Sequence, residues 1–600
     1  MKTTSILLTL VSLSAAFAAA PDGEALYKQR CGICHDGKVQ ARTPARDEIS
    51  NRTPEFVYKA MFEGAMMAQS AGLSAEEGRA IARYLTGKEF SAAVVTNVAR
   101  CAGNPPAIRI TDTAWNGWGD DVANTRYQPK PGLNASDVPK LKVKWAFGFA
   151  DETVRSAQPT VVGGRVFVGS SSGAIYSLDA ATGCIYWNYD AGATVRTAIS
   201  IGKPAGSNNY VAYFGDTRSF VHAVDAATGK ALWKVKVEDH PASRVTGAPT
   251  FYEGRLYVPV SSIEEASAML PTYQCCKFRG SVVALDGATG KQIWKSYSVT
   301  DPPQPTKTSA SGTQQWGPAG AAIWSAPTID AKNKVVYAAT GNSYTNVSIN
   351  TSNAILAFDM ETGSLKWSSQ VLPKDNFTMG CGRGVNCPED RGPDFDFGTS
   401  PILRELPNGK RVLICGQKSA VLWGLDPDSR GKVLWQTRLG QGSALGGIEW
   451  GPTADTEFAY AAVSDLFGLR NGAKPGGIHA VKLDTGEKIW STPAPALNCT
   501  PGSKGCTGAQ SAAISSMPGV VFSGSVDGHF RAFSAKTGEI IWDFNTVQDY
   551  QTVNEIPAKG GSLDSAGPTI ANGMVFTNSG YGMWQGLPGN VLLAFSVDGK

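Results

Sequence analysis

One unit recurs along most of the chain and constrains its fold more than any other feature. It is an apolar strand, an Asp, a Thr-Gly-type turn and a second apolar strand ending in Trp. It reads Leu178-Asp-Ala-Ala-Thr-Gly-Cys-Ile-Tyr-Trp187, Val224-Asp-Ala-Ala-Thr-Gly-Lys-Ala-Leu-Trp233, Leu285-Asp-Gly-Ala-Thr-Gly-Lys-Gln-Ile-Trp294 and Phe358-Asp-Met-Glu-Thr-Gly-Ser-Leu-Lys-Trp367. Looser copies end at Trp435, Trp490 and Trp542. Neighbouring tryptophans stand 46 to 73 residues apart, room for four short strands and their loops. An eighth copy, Val591-Leu-Leu-Ala-Phe-Ser-Val-Asp-Gly-Lys600, stops before its Trp strand, while an unmatched strand, Leu141-Lys-Val-Lys-Trp145-Ala-Phe, lies far upstream. Ring closure accounts for both and leaves no open sheet edge. The expectation is an all-β eight-bladed propeller over residues 111–600. A linear solenoid would leave the split repeat unexplained.

The front of the chain reads differently. Cys31-Gly-Ile-Cys34-His35 has the spacing for two thioether bonds to one haem, with His35 as an axial iron ligand. A zinc site would need more ligands, and no other Cys or His occurs before Cys101. Ser74 with Glu77 opens a helical pattern through Leu85 as a capping box. Between the two lies Gly64-Ala65-Met66-Met67. This layout resembles small all-α class I cytochromes c, which implies a Met as second iron ligand. Met66 matches best, then Met67, then Met61; packing is the alternative role for each. Residues 21–92 are therefore read as a cytochrome c domain and 93–110 as a linker. The ten basic and ten acidic side chains between 21 and 90 give no bias toward a charged partner.

Composition narrows the setting. Lys plus Arg is 55 against 51 Asp plus Glu, a net +4, without the basic excess of a nucleic-acid binder. Lys2, the run Ile6–Val11 and the small residues Ala15–Ala20 read as a cleaved signal peptide over 1–20. No later apolar run is long enough for a membrane span. Eleven cysteines fit an oxidising compartment, here the periplasm. Cys381–Cys387, Cys499–Cys506 and Cys101–Cys184 are candidate pairs, with Cys415 left over; spacing alone does not decide them.

The blades resemble those of quinoprotein alcohol dehydrogenases, which implies pyrroloquinoline quinone (PQQ) and Ca²⁺. In that family a Glu before an Arg-Gly strand binds Ca²⁺. Here Ser261-Ser-Ile-Glu264-Glu265 precedes Arg279-Gly280, and Glu264 aligns best, although the intervening stretch is longer than the family's. The family's Trp floor and Ca²⁺-binding Asn correspond to Trp324 and to Asn342 of Thr340-Gly341-Asn342. Oxygen ligands of this kind suit Ca²⁺. The family's catalytic Asp, also near Ca²⁺, corresponds to Asp394 in Pro393-Asp-Phe-Asp396. Asp396, two residues on in an extended segment, faces the same side and stays a second choice. Lys418 and Thr246 match quinone-contacting positions. Adjacent Cys275-Cys276 either form a disulfide against the quinone or fix a loop.

Taken whole, with Tyr273–Gly280, Gly446–Gly451 and Gly524–Ala532, residues 21–600 resemble the cytochrome-type polyvinyl-alcohol dehydrogenases. The resemblance implies oxidation of secondary hydroxyls of the polymer to ketones. Asp394 would act as base, PQQ as hydride acceptor beside Ca²⁺, haem c as electron outlet and a soluble cytochrome c as final acceptor. Two rival readings use the same residues differently: a dehydrogenase of small secondary alcohols, and a non-catalytic haem-bearing propeller that serves as scaffold or sensor.

Overall fold

The computed structural model describes residues 21–36, 45–62, 66, 69–70, 73–90, 99–103, 105–150, 157–467, 474–497, 499–500 and 502–600, apart from the side chains of 33, 34, 59, 75 and 383. The expected signal segment and Met67 lie outside these residues. The chain divides into two compact units, 1–91 and 92–600.

The first unit is helical. Its helices run Gly23–Arg30, Gly32–His35, Arg46–Ser50, Pro54–Phe62 and Ala75–Thr86. Asp22 starts the first by accepting the N–H groups of Glu24 and Ala25 at 3.0 and 3.2 Å. Ser74 and Glu77 form the capping box expected of them, at 3.1 and 2.6 Å. Gly87 ends that last helix with φ +63°, a left-handed cap. Tyr27, Val57, Met61, Leu73, Ile81 and Leu85 form the core.

The second unit is an eight-bladed propeller. Eight antiparallel four-stranded sheets follow in chain order, one with an extra short strand, Ser243–Arg244. Blades 1 to 7 span 160–190, 200–236, 250–297, 328–370, 402–438, 453–492 and 515–545. Blade 8 takes three strands from the C-terminal end and its outermost strand, Leu141–Gly148, from the front. Leu141 lies opposite Val597 and Gly148 opposite Val591, so the ring closes by strand pairing. Ahead of this closure, Cys101 is disulfide-bonded to Cys184, and the N–H of Cys101 donates to Ile185 O at 3.2 Å. The other pairs are Cys275–Cys276, Cys381–Cys387 and Cys499–Cys506, and Cys415 is buried and unpaired.

The recurring motif is the joint between blades. The indole N–H of seven docking tryptophans donates to a backbone carbonyl of the next blade, at 2.9–3.1 Å. The pairs are Trp145 to Ala180, Trp187 to Ala226, Trp233 to Gly287, Trp294 to Met360, Trp435 to Leu483, Trp490 to Ala535 and Trp542 to Leu141. At the remaining joint Trp367 packs on Gly431. The motif glycine completes the seat. Gly229 has φ +74°, and a Cβ built there would lie 2.7 Å from the Trp187 ring. The motif Asp shapes the turn: Asp225 Oδ1 accepts the Ala227 and Thr228 N–H groups and the Thr228 hydroxyl, at 2.8–3.1 Å.

The Trp strands do not end at Trp as their sequence suggests. The strand carrying Trp233 runs to Lys236 and bulges just before the Trp: Trp233 pairs with Ala223, and Ala231 with Val224. The same shift recurs before Trp294, Trp435 and Trp490. The bulge leaves apolar Leu232, Ile293, Leu434 and Ile489 exposed and turns each indole inward.

Sequence periodicity gave no sign of a segment, 113–128, that threads the inner strands. Backbone bonds join Trp115 to Val161, Val122 to Ile329, Ala123 to Leu403, Thr125 to Ala454 and Arg126 to Ser516. The buried Arg126 guanidinium adds bonds to Ile514 O, Trp118 O and Gln158 at 2.7 Å. The segment ties blades far apart in sequence to one another.

Gly229→Ala combines a left-handed backbone with a clash against Trp187, so it is expected to cost about 2–4 kcal/mol. Gly192→Ala has φ +76° but open space around it, and should cost about 1 kcal/mol. Unfolding in denaturant measures both; equal losses would contradict the indole-seat account.

Candidate active site

The short helix Glu264–Ser267, directly after the blade 3 strand Arg255–Ser262, sends two adjacent carboxylates different ways. Glu264 is fully buried. Its Oε1 accepts Tyr273 Oη and Lys277 N–H at 2.9 and 2.8 Å, and its Oε2 accepts Phe278 N–H at 2.8 Å. His240 Nε2 lies 3.3 Å away. Glu264 thus holds the 268–280 insertion through both of its oxygens. The half-buried Glu265 instead sits within the field of Asp396 and Lys418.

Asp394 and Asp396 both face Lys418, as their two-residue spacing allows. Asp375 sets this segment by accepting the N–H groups of Asp394 and Phe395 at 2.9 and 2.7 Å. Asp394 adopts φ +63°, a strained backbone for a residue with a side chain. Asp396 Oδ1 accepts Asn342 N–H at 2.7 Å, and its Oδ2 receives Lys418 Nζ at 3.0 Å. Asp394 Oδ1 stands 3.6 Å from Lys418 Nζ and, though buried, has no hydrogen-bond partner. The Asn342 side-chain N–H₂ donates to Ser343 O and Phe377 O at 2.8 and 2.9 Å, which leaves its amide oxygen as the free ligand atom.

A cleft adjoins this cluster, lined among others by Arg196, Thr246, Trp324, Trp450 and Ser565. Lys418 Nζ lies 5.5 Å from the Trp324 ring centre, and Trp450 meets Trp324 edge-on at 5.3 Å. Thr246 shares a 2.7 Å hydrogen bond with Ser261. The Arg196 guanidinium lies over Trp450 at 5.2 Å, and its buried Nε has no partner.

Four carboxyl groups share one ammonium here. Burial, with Asp396 adding, raises the Glu265 pKa to about 7. Burial, with Asp564 and Asp396 adding, raises Glu449 to about 8. Burial lifts Asp394 well above the ordinary carboxylate range; Lys418 opposes this, while Asp396, Glu265 and Asp375 reinforce it. Burial disfavours charge on Lys418, but Asp394, Asp396, Glu449 and Glu265 together hold it protonated. The cluster is short of positive charge.

The structure thus gathers Thr246, Trp324, Asn342, Asp394, Asp396 and Lys418 in one place. Glu264 is bonded to Tyr273, Lys277 and Phe278, whereas Glu265, one step of about 100° along the helical turn, lies in the field of Asp396 and Lys418. Cys275–Cys276 pair by backbone with Trp316, at 2.7 and 3.3 Å, which ties them to the hairpin 304–317. Cys275 also walls a cavity together with Tyr344, whose ring in turn lies within the field of Glu265 and Asp396. Sequence reasoning missed Glu265, Arg196, Tyr344 and Glu449. Glu449 lies within Gly446–Gly451, a stretch that carried the family resemblance without an assigned role.

In the helical unit, Cys31 opens the short helix that carries His35, and His35 is buried. Cys31 and Met66 pack against the same apolar core. Met61 lies within that core at 4% exposure, where it serves packing. Met66 leads a turn whose Gln69 and Ser70 N–H groups return to its carbonyl at 3.1 Å. The Cys34 side chain lies outside the described atoms.

Comparison with known proteins agrees with both units. Residues 115–381 match the glucose/ethanol/alcohol dehydrogenase β-propeller domain. Residues 18–85 match subunit III of cbb3-type cytochrome c oxidase, and 474–600 match the outer membrane protein assembly factor BamB. A polyvinylalcohol dehydrogenase from a Pseudomonas species is 46% identical over 99% of this chain and 96% of its own length. A second, from a Sphingopyxis species, is 42% identical over 96% and 93%. In fold, a quinohaemoprotein alcohol dehydrogenase from Pseudomonas putida HK5 superposes with TM-score 0.61 at 19% identity, covering 82% of this chain and 81% of the other. The chain belongs to the polyvinyl-alcohol dehydrogenase family of PQQ-dependent dehydrogenases, with a cytochrome c unit ahead of a quinoprotein propeller.

Proposed function

We propose that this protein oxidises secondary hydroxyls of polyvinyl alcohol to ketones in the periplasm and delivers the electrons through its haem to a soluble cytochrome c. The observation that carries the reading is the buried Asp394 Oδ1, unpartnered beside Lys418 and Asp396 and next to the Trp324 cleft. A scaffold has no use for a buried carboxyl oxygen without a hydrogen bond and of raised proton affinity, 3.6 Å from Lys418.

The residues fit the cofactors. Trp324 offers a flat aromatic floor, and the Lys418 ammonium and Arg196 guanidinium suit the carboxylates and carbonyls of a planar quinone. Glu265, Asn342 and the Asp394–Asp396 pair supply only oxygen ligands, the donor set of Ca²⁺. Among the described residues no three His, Cys, Asp or Glu groups form a ready-made metal cage, so the ion would also need the Asn342 amide and oxygens brought by the cofactor. Cys31, Cys34 and His35 would hold haem c, with Met66 as the second side chain to the iron. When bound, PQQ supplies the hydride acceptor, Ca²⁺ a Lewis acid beside it, and haem c a one-electron outlet.

The chain's own part is to position the alcohol and move its proton. Asp394 takes the hydroxyl proton on Oδ1; burial raises its affinity for that proton, and Lys418, 3.6 Å away, opposes that rise. Asp375 fixes the direction of Asp394 through the two backbone N–H groups it accepts. Asp396, held by Asn342 N–H and Lys418, stays in place as a ligand and counter-charge.

Three outcomes test this reading. Protein reconstituted with PQQ and Ca²⁺ should show haem reduction, followed by absorbance, when mixed with the polymer, and none if either component is omitted. Reduction by small secondary alcohols alone would remove the polymer from the reading, and failure to bind PQQ would overturn it. Asp394→Asn should lower kcat by about 10²–10⁴-fold while PQQ affinity holds; the same loss in Asp396→Asn with Asp394→Asn active would exchange the two roles. Calcium titration should show at least tenfold weaker binding for Glu265→Gln, whereas Glu264→Gln should chiefly lower the melting temperature by loosening the 268–280 loop. Weaker calcium binding in Glu264→Gln alone would restore Glu264 as the ligand.

A further inference from the structure

A cavity of about 410 Å³ reaches Tyr344, a neighbour of the carboxylate cluster, and takes no part in the chemistry above. Three insertions build it: the hairpin 304–317, residues 344–347 after Thr340-Gly341-Asn342, and the loop 384–389, which the Cys381–Cys387 disulfide closes. Its inner end is Tyr344 and Cys275; Tyr344 Oη lies 3.5 Å from Ser262 Oγ and within the field of Glu265 and Asp396. Its outer rim, with Thr306, Ala310 and Asn346, is exposed. Trp316 forms part of its wall and also lines a second cavity of about 350 Å³.

The lining specifies the chemistry of an occupant. The two charged side chains of the first cavity, Lys307 and Glu389, pair with each other, so the wall presents no net charge. The rest alternates hydroxyls and amides, such as Thr345, Gln315 and Asn386, with apolar Val347, Pro388 and the Trp316 indole. A surface of this kind suits an uncharged chain that itself alternates methylene and hydroxyl-bearing carbons. At about 30 Å³ for a free water-sized group, the cavity takes on the order of a dozen such groups, room for several repeats beyond the reacting one. A single small alcohol would leave it unfilled.

We propose that this cavity is a polymer subsite: it holds the uncharged polyhydroxylated chain on one side of the reacting carbinol, with Trp316 as its apolar platform. The proposal rests on the dehydrogenase reading and adds the element that favours a chain over an isolated alcohol. Chain binding lowers KM without contributing to the chemical step, since its contacts are the same before and during hydride transfer.

The test compares polyvinyl alcohol with 2,4-pentanediol, a two-carbinol fragment of it, on the holoenzyme. Trp316→Ala removes the platform, and Ala310→Trp fills the cavity from an exposed rim position. Both variants should raise KM for the polymer about tenfold with kcat held, and leave kcat/KM for 2,4-pentanediol within twofold. Calorimetric binding of the polymer to full-length protein without PQQ should weaken by the same factor. Equal losses on both substrates, or no change on either, would overturn the subsite. So would a wild-type protein that does not bind the polymer. A wild-type protein that binds the polymer through Trp316 but oxidises neither alcohol would instead refute the dehydrogenase reading and leave the subsite standing.

Discussion

Seven of the eight blade joints in this propeller rest on one contact, an indole laid across the glycine of the next blade's turn, and at the eighth Trp542 donates to Leu141 O instead. Each motif therefore serves two blades. Its Trp reaches forward, and its glycine receives the Trp from behind, as Gly229 receives Trp187 while Trp233 reaches Gly287. The Trp N–H must find a partner once buried, and the exposed backbone of the neighbouring turn supplies it. The bulge ahead of each Trp aims the ring. A ring built from such joints needs its last one as much as its first, which is why the chain spends an early strand, Leu141–Gly148, on its final blade.

A closed ring makes the carboxylate cluster possible. The blades leave the strand-to-strand loops of blades 3 to 6 free to converge, and those loops carry Glu265, Asn342, Asp394, Lys418 and Glu449. Rigid elements stand behind each of them. Asp375 fixes the Asp394 segment, Asn342 N–H fixes Asp396, and Glu264 fixes the long insertion next to Glu265. The outcome is a buried group of acids with one ammonium, an arrangement that is unfavourable on its own and becomes favourable with a cation. Stability resides in the joints, and the carboxylate cluster carries unsatisfied charge.

The repeat architecture was legible because it is written as a period: the same joint recurs and so does its sequence. The heptad-free Asp, Thr-Gly and Trp pattern gave the blade count and the closure from residues 141–147 and 591–600 alone. The two-residue spacing kept both Asp394 and Asp396 in view, and both lie within 4 Å of Lys418 although Asp394 is at φ +63° rather than extended. Glu264 shows where such reading stops. Its neighbour differs by one helical step, and only the Tyr273, Lys277 and Phe278 contacts across the insertion decide which carboxylate points inward. The 113–128 segment was equally hidden, since its bonds are between backbone groups of blades up to hundreds of residues away and leave no side-chain pattern. Exposed Leu232 and Ile293 look like core in sequence and are surface because of a bulge.

The claim on which the rest depends is that the group formed by Glu265, Asn342, Asp394 and Asp396 is the cation and quinone site. Anomalous diffraction from crystals of the protein grown with PQQ and Ca²⁺ tests it directly. The account predicts a calcium peak about 2.3–2.6 Å from Glu265 and Asn342 oxygens, with the quinone on the Trp324 face. A calcium ion at Glu264, or a quinone bound away from Trp324, would contradict it.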